Sequence, residues 1–390
     1  MKKIIILGAT GSIGTQTIEV IEENPQDFEL TGVSVGHNIE LLKVILSKFE
    51  SIKYVSVHDE KDYISLKEEY PHISFYYGDE GLISLIDNCS SSMIVNALVG
   101  FVGFIPSLHA IKKGIDLALA NKESLVVGGS LIKRELKKSK ARLFAIDSEH
   151  CALSKCLEGR DISTVRNLVI TASGGSFRNY SKDQLENVTI NDALNHPSWN
   201  MGNKITIDSA TMMNKGFEII EAMHLFDFSL EKIKVLLHDE SIIHSLVEFV
   251  DNSYLADIGP TDMKVAISYA LYENNRHEVK TNKLEFDKLS GLHFRKLDDD
   301  FYPCLTLALK AIKMGGSATT VLNRSNEVAV ASFLKNEIKF TQIYKVIEYA
   351  LNKHEVITDP ILEDIIKIDK WAKNISDEYI RREINAKHDY

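Results

Sequence analysis

A chain of 390 residues with 44% apolar and 26% charged side chains is long enough for two or three folded domains, and its composition excludes a disordered or fibrous protein. Forty-five basic against 55 acidic residues leave a formal net charge of −10, which argues against a nucleic-acid binder. No apolar run approaches the roughly 18 residues needed to span a bilayer, so no membrane partner is expected.

The start, "MKKIIILG", has a basic beginning but only a short apolar run before Gly8 and no small-residue cleavage site, so it reads as a first strand. With no signal or transit peptide recognised, a bacterial cytoplasmic location is expected. Cys89, Cys151, Cys156 and Cys304 lack metal-finger spacing and read as packing thiols of a reducing compartment. Up to about residue 150, runs such as IIIL, LTGVSV, YVSV, MIVNALV, DLALA and LFAID alternate with amphipathic stretches such as "TQTIEVIEEN". That alternation predicts a parallel sheet covered by helices. The basic run "KRELKKSKAR" within it reads as a solvated helix face.

Beyond residue 165 the texture changes. "NLVITASGG" is followed by a polar loop and by "KVLLHDESIIHSLVEFVDNSYLADIG", which alternates like an antiparallel meander and predicts an α+β domain. A charged connector then precedes three segments of helical spacing, "CLTLALKAIKMGG", "SNEVAVASFLKNEI" and "YKVIEYALNKH". The expected fold is α/β: a Rossmann-like, doubly wound parallel sheet over 1–150, a central α+β catalytic and dimerisation domain over 151–285, a linker over 286–310, and a small helical domain over 311–390.

"GATGSIG", Gly8 to Gly14, follows the first strand and opens a helix. Glycines there let a pyrophosphate approach the backbone and rest on helix N-terminal amides, although a plain tight turn looks the same out of context. The second strand ends in "VGHN" rather than in the Asp or Glu that would take ribose hydroxyls, so no acid repels a 2′-phosphate and NADP is favoured. His37 also reads as a simple loop cap.

"DSEHCAL" sets Asp147 and Glu149 two positions apart after the run RLFAI; in an extended chain both would face one way and call for a cation. Joined by Glu218, they form three hard oxygen ligands suited to Mg²⁺ or Mn²⁺. The bland alternative pairs Glu218 with Lys215 one helical turn back, as a solvated ion pair. Ser148, Ser173, Ser209, Asn214 and Lys215 supply hydroxyls, an amide and an ammonium for a phosphate monoester, though each alone is commonly a turn or capping residue. "HPSWNMG", from His196 to Gly202, reads as a lid, or else as a surface loop packed on its own Trp199.

Taken in order, "GATGSIG", "ANKESLV", "DSEH", "SGGSFR", "HPSWNMG" and "DSATMMNKGFEIIEA" resemble the 1-deoxy-D-xylulose 5-phosphate reductoisomerase family, and the resemblance continues through "HSLVEFVDNSYLADIG" and "NRSNEVAVASFL". It implies metal-dependent isomerisation of that sugar phosphate followed by NADPH reduction, and a homodimer. It assigns Thr10, Gly11, Ser12, Ile13, Gly36, His37, Asn38, Asn121, Glu123 and Gly202 to NADPH, and Asp147, Glu149 and Glu218 to the metal. Lys122, Ser148, Glu149, Ser173, His196, Ser209, Asn214, Lys215 and Glu218 would meet the substrate, with Lys122, Glu149 and His196 catalytic and Trp199 and Met201 in the lid. Many relatives carry Lys or Arg at the position of His37, and Pro at that of Ser176. A semialdehyde-type dehydrogenase is a rival that would need a thiol nucleophile, for which Cys151 is the candidate near the acids. A nucleotide-sensing protein without catalysis is another, and would have no use for the acidic triad.

Overall fold

The computed structural model describes residues 1–298 and 300–384. Strands and helices alternate at first: β1 (Lys2–Leu7), α1 (Ser12–Glu23), β2 (Phe28–Val35), α2 (Ile39–Lys48), β3 (Tyr54–Val57), α3 (Glu60–Glu69), β4 (Ser74–Tyr77), α4 (Gly78–Asn88), β5 (Met93–Asn96), α5 (Phe104–Lys112), β6 (Asp116–Leu119), α6 (Glu123–Leu136) and β7 (Leu143–Ala145). Then come α7 (Ser148–Leu157), β8 (Val165–Ala172), α8 (Ile190–Leu194), α9 (Asn203–Ala210), α10 (Met213–Phe226), β9 (Ile233–His238), β10 (Ile243–Phe249), β11 (Tyr254–Ile258) and α11 (Met263–Leu271). The chain continues through β12 (Phe294–Arg295), α12 (Pro303–Met314), α13 (Ala318–Leu334), α14 (Ile343–Lys353) and α15 (Leu362–Tyr379).

Contacts gather the chain into two compact units, one of residues 1–124, 132–151 and 262–282, the other of 125–131, 152–261 and 283 onward. Residues 125–131 and 262–282 thus fall outside the units that the expected boundaries at 150 and 285 imply. Asp299 of the expected linker and residues 385–390 of the expected helical domain lie outside the described residues.

In the first unit seven strands lie in the order β4-β3-β2-β1-β5-β6-β7, every pair parallel. This is the doubly wound sheet that the alternation predicted. The winding reverses between β1 and β5, which opens a crevice outside their carboxyl ends. Ile4, Ile5, Ile6 and Leu7 are fully buried, as a strand with helices on both faces requires. The late helix α11 belongs here: Ile267, Ala270 and Leu271 join Ile18 and Ile21 of α1 in one core. Tyr272 Oη donates to Asp27 Oδ2 at 2.6 Å, and Lys2 Nζ to Leu271 O at 2.7 Å.

The second unit holds a five-stranded sheet, β11-β10-β8-β9-β12. It is not the expected meander: β8 inserts between the successive strands β9 and β10, pairing parallel with β9 and antiparallel with β10. One face buries Leu168, Ile170, Leu237 and Val247 with Leu153, Ile219 and Ala222. Phe294 and Arg295 of the expected linker pair with His238 and Leu237, so this stretch is an edge strand. The C-terminal helices form the expected helical part, and their core is continuous with that of α9 and α10. Val321, Leu322, Val346 and Ile347 share it with Ile207, Met213, Phe217 and Ile220 of α9 and α10. A helical stripe in the sequence tells that a face is buried but not against what. Among the described residues no helix is long and apolar enough to cross a membrane.

Candidate active site

In the first unit every candidate residue follows the carboxyl end of a strand. After β1, Gly8 has φ +85, and a Cβ there would lie 2.8 Å from Ala97 O; one on Gly14 would collide with the backbone of Gly8 and Ala9. Only glycine allows this turn. Gly11 stands at the N-cap of α1 without a side-chain cap, so the first-turn amides at Ser12 and Ile13 are left open to an anion. After β2, Gly36, His37 and Asn38 are exposed, and Asn38 Oδ1 accepts from Leu41 N at 3.1 Å to cap α2. His37 Nδ1 lies 3.0 Å from Asp59 Oδ2, and its ring meets that of His58 edge-on at 4.9 Å. The expectation of no acid near this position therefore holds for β2 alone, because Asp59 reaches it from the end of β3.

After β6, Asn121 Nδ2 donates to Leu98 O and Gly100 O, both at 2.9 Å, and to Glu123 Oε2 at 3.1 Å. Next to it, Lys122 Nζ lies 2.6 Å from Asp147 Oδ2, with both side chains less than a tenth exposed. Burial opposes ionisation of Asp147, but the Lys122 ammonium and then His150 outweigh it and hold the carboxyl well below the usual range. The extended geometry expected for Asp147 and Glu149 is corrected here. β7 ends at Ala145, and Asp147 Oδ1 accepts from Glu149 N at 3.1 Å as the cap that opens α7. Glu149 is thus in the first helical turn, where Ser148 Oγ donates to its Oε2 at 2.6 Å.

In the second unit Ser173 follows β8 and precedes two glycines of positive φ. A Cβ on Gly175 would strike Ser209 O and the Cα of Ala210, so the loop lies close against the end of α9. Ser173 Oγ lies 3.0 Å from His196 Nε2 and accepts from Gly175 N at 3.2 Å. His196 Nδ1 accepts from Ser198 N at 3.2 Å and Trp199 N at 3.0 Å, so the neutral ring carries its proton on Nε2 and donates it to Ser173 Oγ. Burial, then the charge of Arg178, pushes the imidazole down to about 4, which keeps it neutral near neutral pH. With two bonds accepted, Ser173 has its own O–H left to donate.

Trp199 and Met201 are half-buried, and the Trp199 ring centre is 6.2 Å from that of His244. Gly202 is exposed at the N-cap of α9. On α10, Asn214 Nδ2 donates to Glu218 Oε1 at 2.5 Å, while Lys215 Nζ bonds Glu218 Oε2 and donates to Thr171 O at 2.5 Å. The pairing weighed from sequence does form, yet Lys215 and Glu218 are only 3% and 1% exposed, so it is buried rather than solvated. A buried pair adds little net stability, so stability alone does not account for it. Buried Ser209 follows Asp208, which pairs with Lys204 at 2.9 Å and accepts from Asn326 Nδ2 at 2.7 Å. Asp208 and Arg178 stood inside the quoted motifs without a role; Asp59 carried no motif signal. Cys151, the nucleophile of the dehydrogenase reading, is buried.

Three family models match the chain: 1-deoxy-D-xylulose 5-phosphate reductoisomerase over residues 4–129, its C-terminal domain over 143–226, and the DXP reductoisomerase C-terminal domain over 258–375. A relative from Listeria monocytogenes with the first of these names is 45% identical over 374 residues, covering 96% of this chain and 98% of its own. The chain belongs to the 1-deoxy-D-xylulose 5-phosphate reductoisomerase family. A Geobacillus kaustophilus member is 49% identical over 375 residues, 96% of this chain and 98% of its own. Among solved reductoisomerases, one in complex with NADPH, fosmidomycin and magnesium gives a TM-score of 0.93 at 36% identity, with 98% of each chain covered. The Zymomonas mobilis reductoisomerase in complex with NADPH gives 0.90 at 37% identity, covering 98% of this chain and 99% of that one.

Proposed function

We propose that this reductoisomerase family member rearranges 1-deoxy-D-xylulose 5-phosphate with the help of a divalent cation and reduces the resulting branched aldehyde with NADPH. The product is 2-C-methyl-D-erythritol 4-phosphate, a precursor in non-mevalonate isoprenoid synthesis. The observation that carries the reading is the Lys122–Asp147 pair: a buried ammonium and an ionised carboxylate at the carboxyl ends of β6 and β7, in the unit whose glycine turn leaves helix amides open to a pyrophosphate. Solved relatives in complex with NADPH and with magnesium support the cofactors.

Asp147, Glu149 and Glu218 would hold Mn²⁺ or Mg²⁺: all are oxygen donors, and Asp147 is already kept in its charged form. The cation supplies Lewis-acid stabilisation of negative charge on the substrate oxygens, and NADPH supplies the hydride. Thr10, Gly11, Ser12, Ile13, Gly36, His37, Asn38, Asn121, Glu123 and Gly202 would contact NADPH. Lys122 would present its ammonium to the ketone and hydroxyl oxygens and pass a proton there. Ser173 would donate its free O–H to the phosphate beside Ser209, Asn214 and Lys215, with neutral His196 holding that hydroxyl in direction. Ser148 would add a hydroxyl next to Glu149. Trp199 and Met201 would close over the substrate and exclude water.

A homodimer is part of the proposal. The sheet face opposite the buried one shows Tyr254, Ala256 and Ile258 of β11 exposed, an apolar edge suited to a second copy. Four buried cysteines that form no disulfide suit a reducing bacterial cytoplasm. The test is NADPH oxidation, followed by its near-ultraviolet absorbance, with the sugar phosphate and Mn²⁺. Turnover that requires all three supports the reading; oxidation that ignores the sugar phosphate, or none at all, overturns it.

A further inference from the structure

Arg178 closes the segment "SGGSFR" and has none of the roles above. Its Nη1 donates to Asp239 O at 2.9 Å and to Ser173 O at 3.3 Å, so one guanidinium ties the loop after β8 to the turn between β9 and β10. Arg295 holds that turn from its other side, with Nε and Nη2 at 3.1 and 2.8 Å from Asp239 Oδ1. The turn also reaches the Trp199 loop, where Ser241 Oγ lies 3.5 Å from Ser198 Oγ. The acceptors of Arg178 are thus two neutral carbonyls, and among the described residues it forms no ion pair with a carboxylate. A guanidinium so placed keeps its full charge. It is half-buried, where solvent screens less than at an exposed site.

We propose that Arg178 is a positioning residue for the phosphate end of the substrate: it fixes the Ser173 backbone against the 239–241 turn and adds an uncompensated positive charge beside Ser173 and His196. The inference rests on the phosphate role given to Ser173 above. The downward push of Arg178 on the His196 imidazole agrees with it, since a cation that adds to the larger effect of burial in keeping His196 neutral helps preserve the donor and acceptor pattern that frees the Ser173 O–H. Both carbonyls are held by the single nitrogen Nη1, so what Arg178 brings to this position is one shared donor and a positive charge, of which a lysine keeps the charge. The other titratable groups beside it are Asp239, whose carboxylate is taken by Arg295, and Tyr302, a neutral phenol that burial pushes up to about 12 and whose hydroxyl donates to Gly174 O at 3.1 Å.

The test uses the full-length protein with Arg178→Met and Arg178→Lys, measuring KM and kcat, NADPH affinity, melting temperature and the titration of the His196 imidazole by NMR. Arg178→Met is expected to raise KM for the sugar phosphate by about tenfold, roughly 1.4 kcal/mol. Its kcat, NADPH affinity and melting should stay near those of the parent while His196 titrates at higher pH. Arg178→Lys, which keeps the charge, should hold His196 low and recover most of the KM. An unchanged KM in Arg178→Met overturns the proposal, as does an equal rise in both variants with lowered melting, which marks a merely structural arginine. If the parent does not turn over the sugar phosphate, the proposed reaction falls first; a His196 titration identical in all three proteins then still removes the electrostatic role.

Discussion

Lys122 Nζ lies 2.6 Å from Asp147 Oδ2, and neither group has more than a tenth of its side chain in water. Removing one partner takes from the other buried charge its counter-charge at 2.6 Å. Lys122→Met should therefore destabilise the protein by about 3 kcal/mol or more and abolish turnover. The double change Lys122→Met with Asp147→Asn should recover most of the melting temperature but none of the activity. Thermal unfolding and NADPH oxidation on the same preparations separate the two effects, and a double variant as unstable as the single one would refute the pairing.

Cofactor choice should depend on Asp59 as well as on His37. The exposed pair at 3.0 Å places a carboxylate next to the position proposed for the 2′-phosphate. The parent should favour NADPH over NADH by at least about tenfold in kcat/KM. Asp59→Asn should widen the ratio a few-fold and His37→Ala should narrow it, in line with the ~1 kcal/mol that exposed charges contribute. Ratios that stay constant across the three proteins would remove both residues from cofactor selection.

Glu218 accepts from Asn214 and bonds Lys215 on its own helix. If it also serves the cation, Glu218→Gln should lower kcat by orders of magnitude while NADPH still binds, and EDTA should reproduce the loss reversibly in the parent. Full activity of the parent in metal-free buffer would return Glu218 to a purely structural pair.

Edge strand β12 should be fastened in a pH-dependent way. His293 Nδ1 lies 2.5 Å from Glu240 Oε1, and that bond raises the His293 value above its ordinary 6.5, while Glu240, against the opposing effect of burial, is held at about 2. The stabilisation from His293 is complete below its unfolded value and disappears as pH rises through the raised one; that from Glu240 disappears only as pH falls toward its own low value. His293→Ala should thus lower the melting temperature more at about pH 6 than at about pH 9. An equal loss at both would show that the His293–Glu240 ion pair is not what fastens the strand, which would leave its backbone pairing with β9 and the Phe294–His238 ring stack, with centres 4.8 Å apart.

Trp199 and Trp371 are the two tryptophans, and the second lies on α15 with its ring 5.4 Å from that of His354. Trp371→Phe leaves one reporter in the proposed lid. Its emission should change when the sugar phosphate is added to the NADPH complex; constant emission during full turnover would place the lid elsewhere.

What the sequence made legible was local. The alternation of IIIL, LTGVSV and YVSV with amphipathic stretches carried the parallel sheet, and the glycine turn at 8–14 carried its own geometry, because a close approach of Gly14 to Gly8 depends on neighbouring residues only. Long-range pairing stayed hidden. Nothing in "KVLLHDESIIHSL" tells that β8, far upstream, inserts between its two strands, and the two residues of β12 are too few to show an alternation. The conformation of "DSEH" was hidden for another reason: an Asp after a strand either extends the chain or caps a helix, and the bond from Glu149 N decides for the cap. Asp59 becomes visible beside His37 only once β2 and β3 are laid in register.

The membership of α11 in the first unit bears on the order in which the protein is made. Synthesis delivers all seven strands of the parallel sheet by residue 145, but the helix that covers α1 is not yet made. Until residue 271 has left the ribosome, Ile18 and Ile21 face no Ile267 or Leu271, and Asp27 waits across a separation of 245 residues for Tyr272. The first unit therefore completes only after the intervening segments of the second exist, and a fragment cut at residue 151 is a nascent intermediate rather than a transplantable module. A graft of this unit into another protein has to bring residues 262–282 with it.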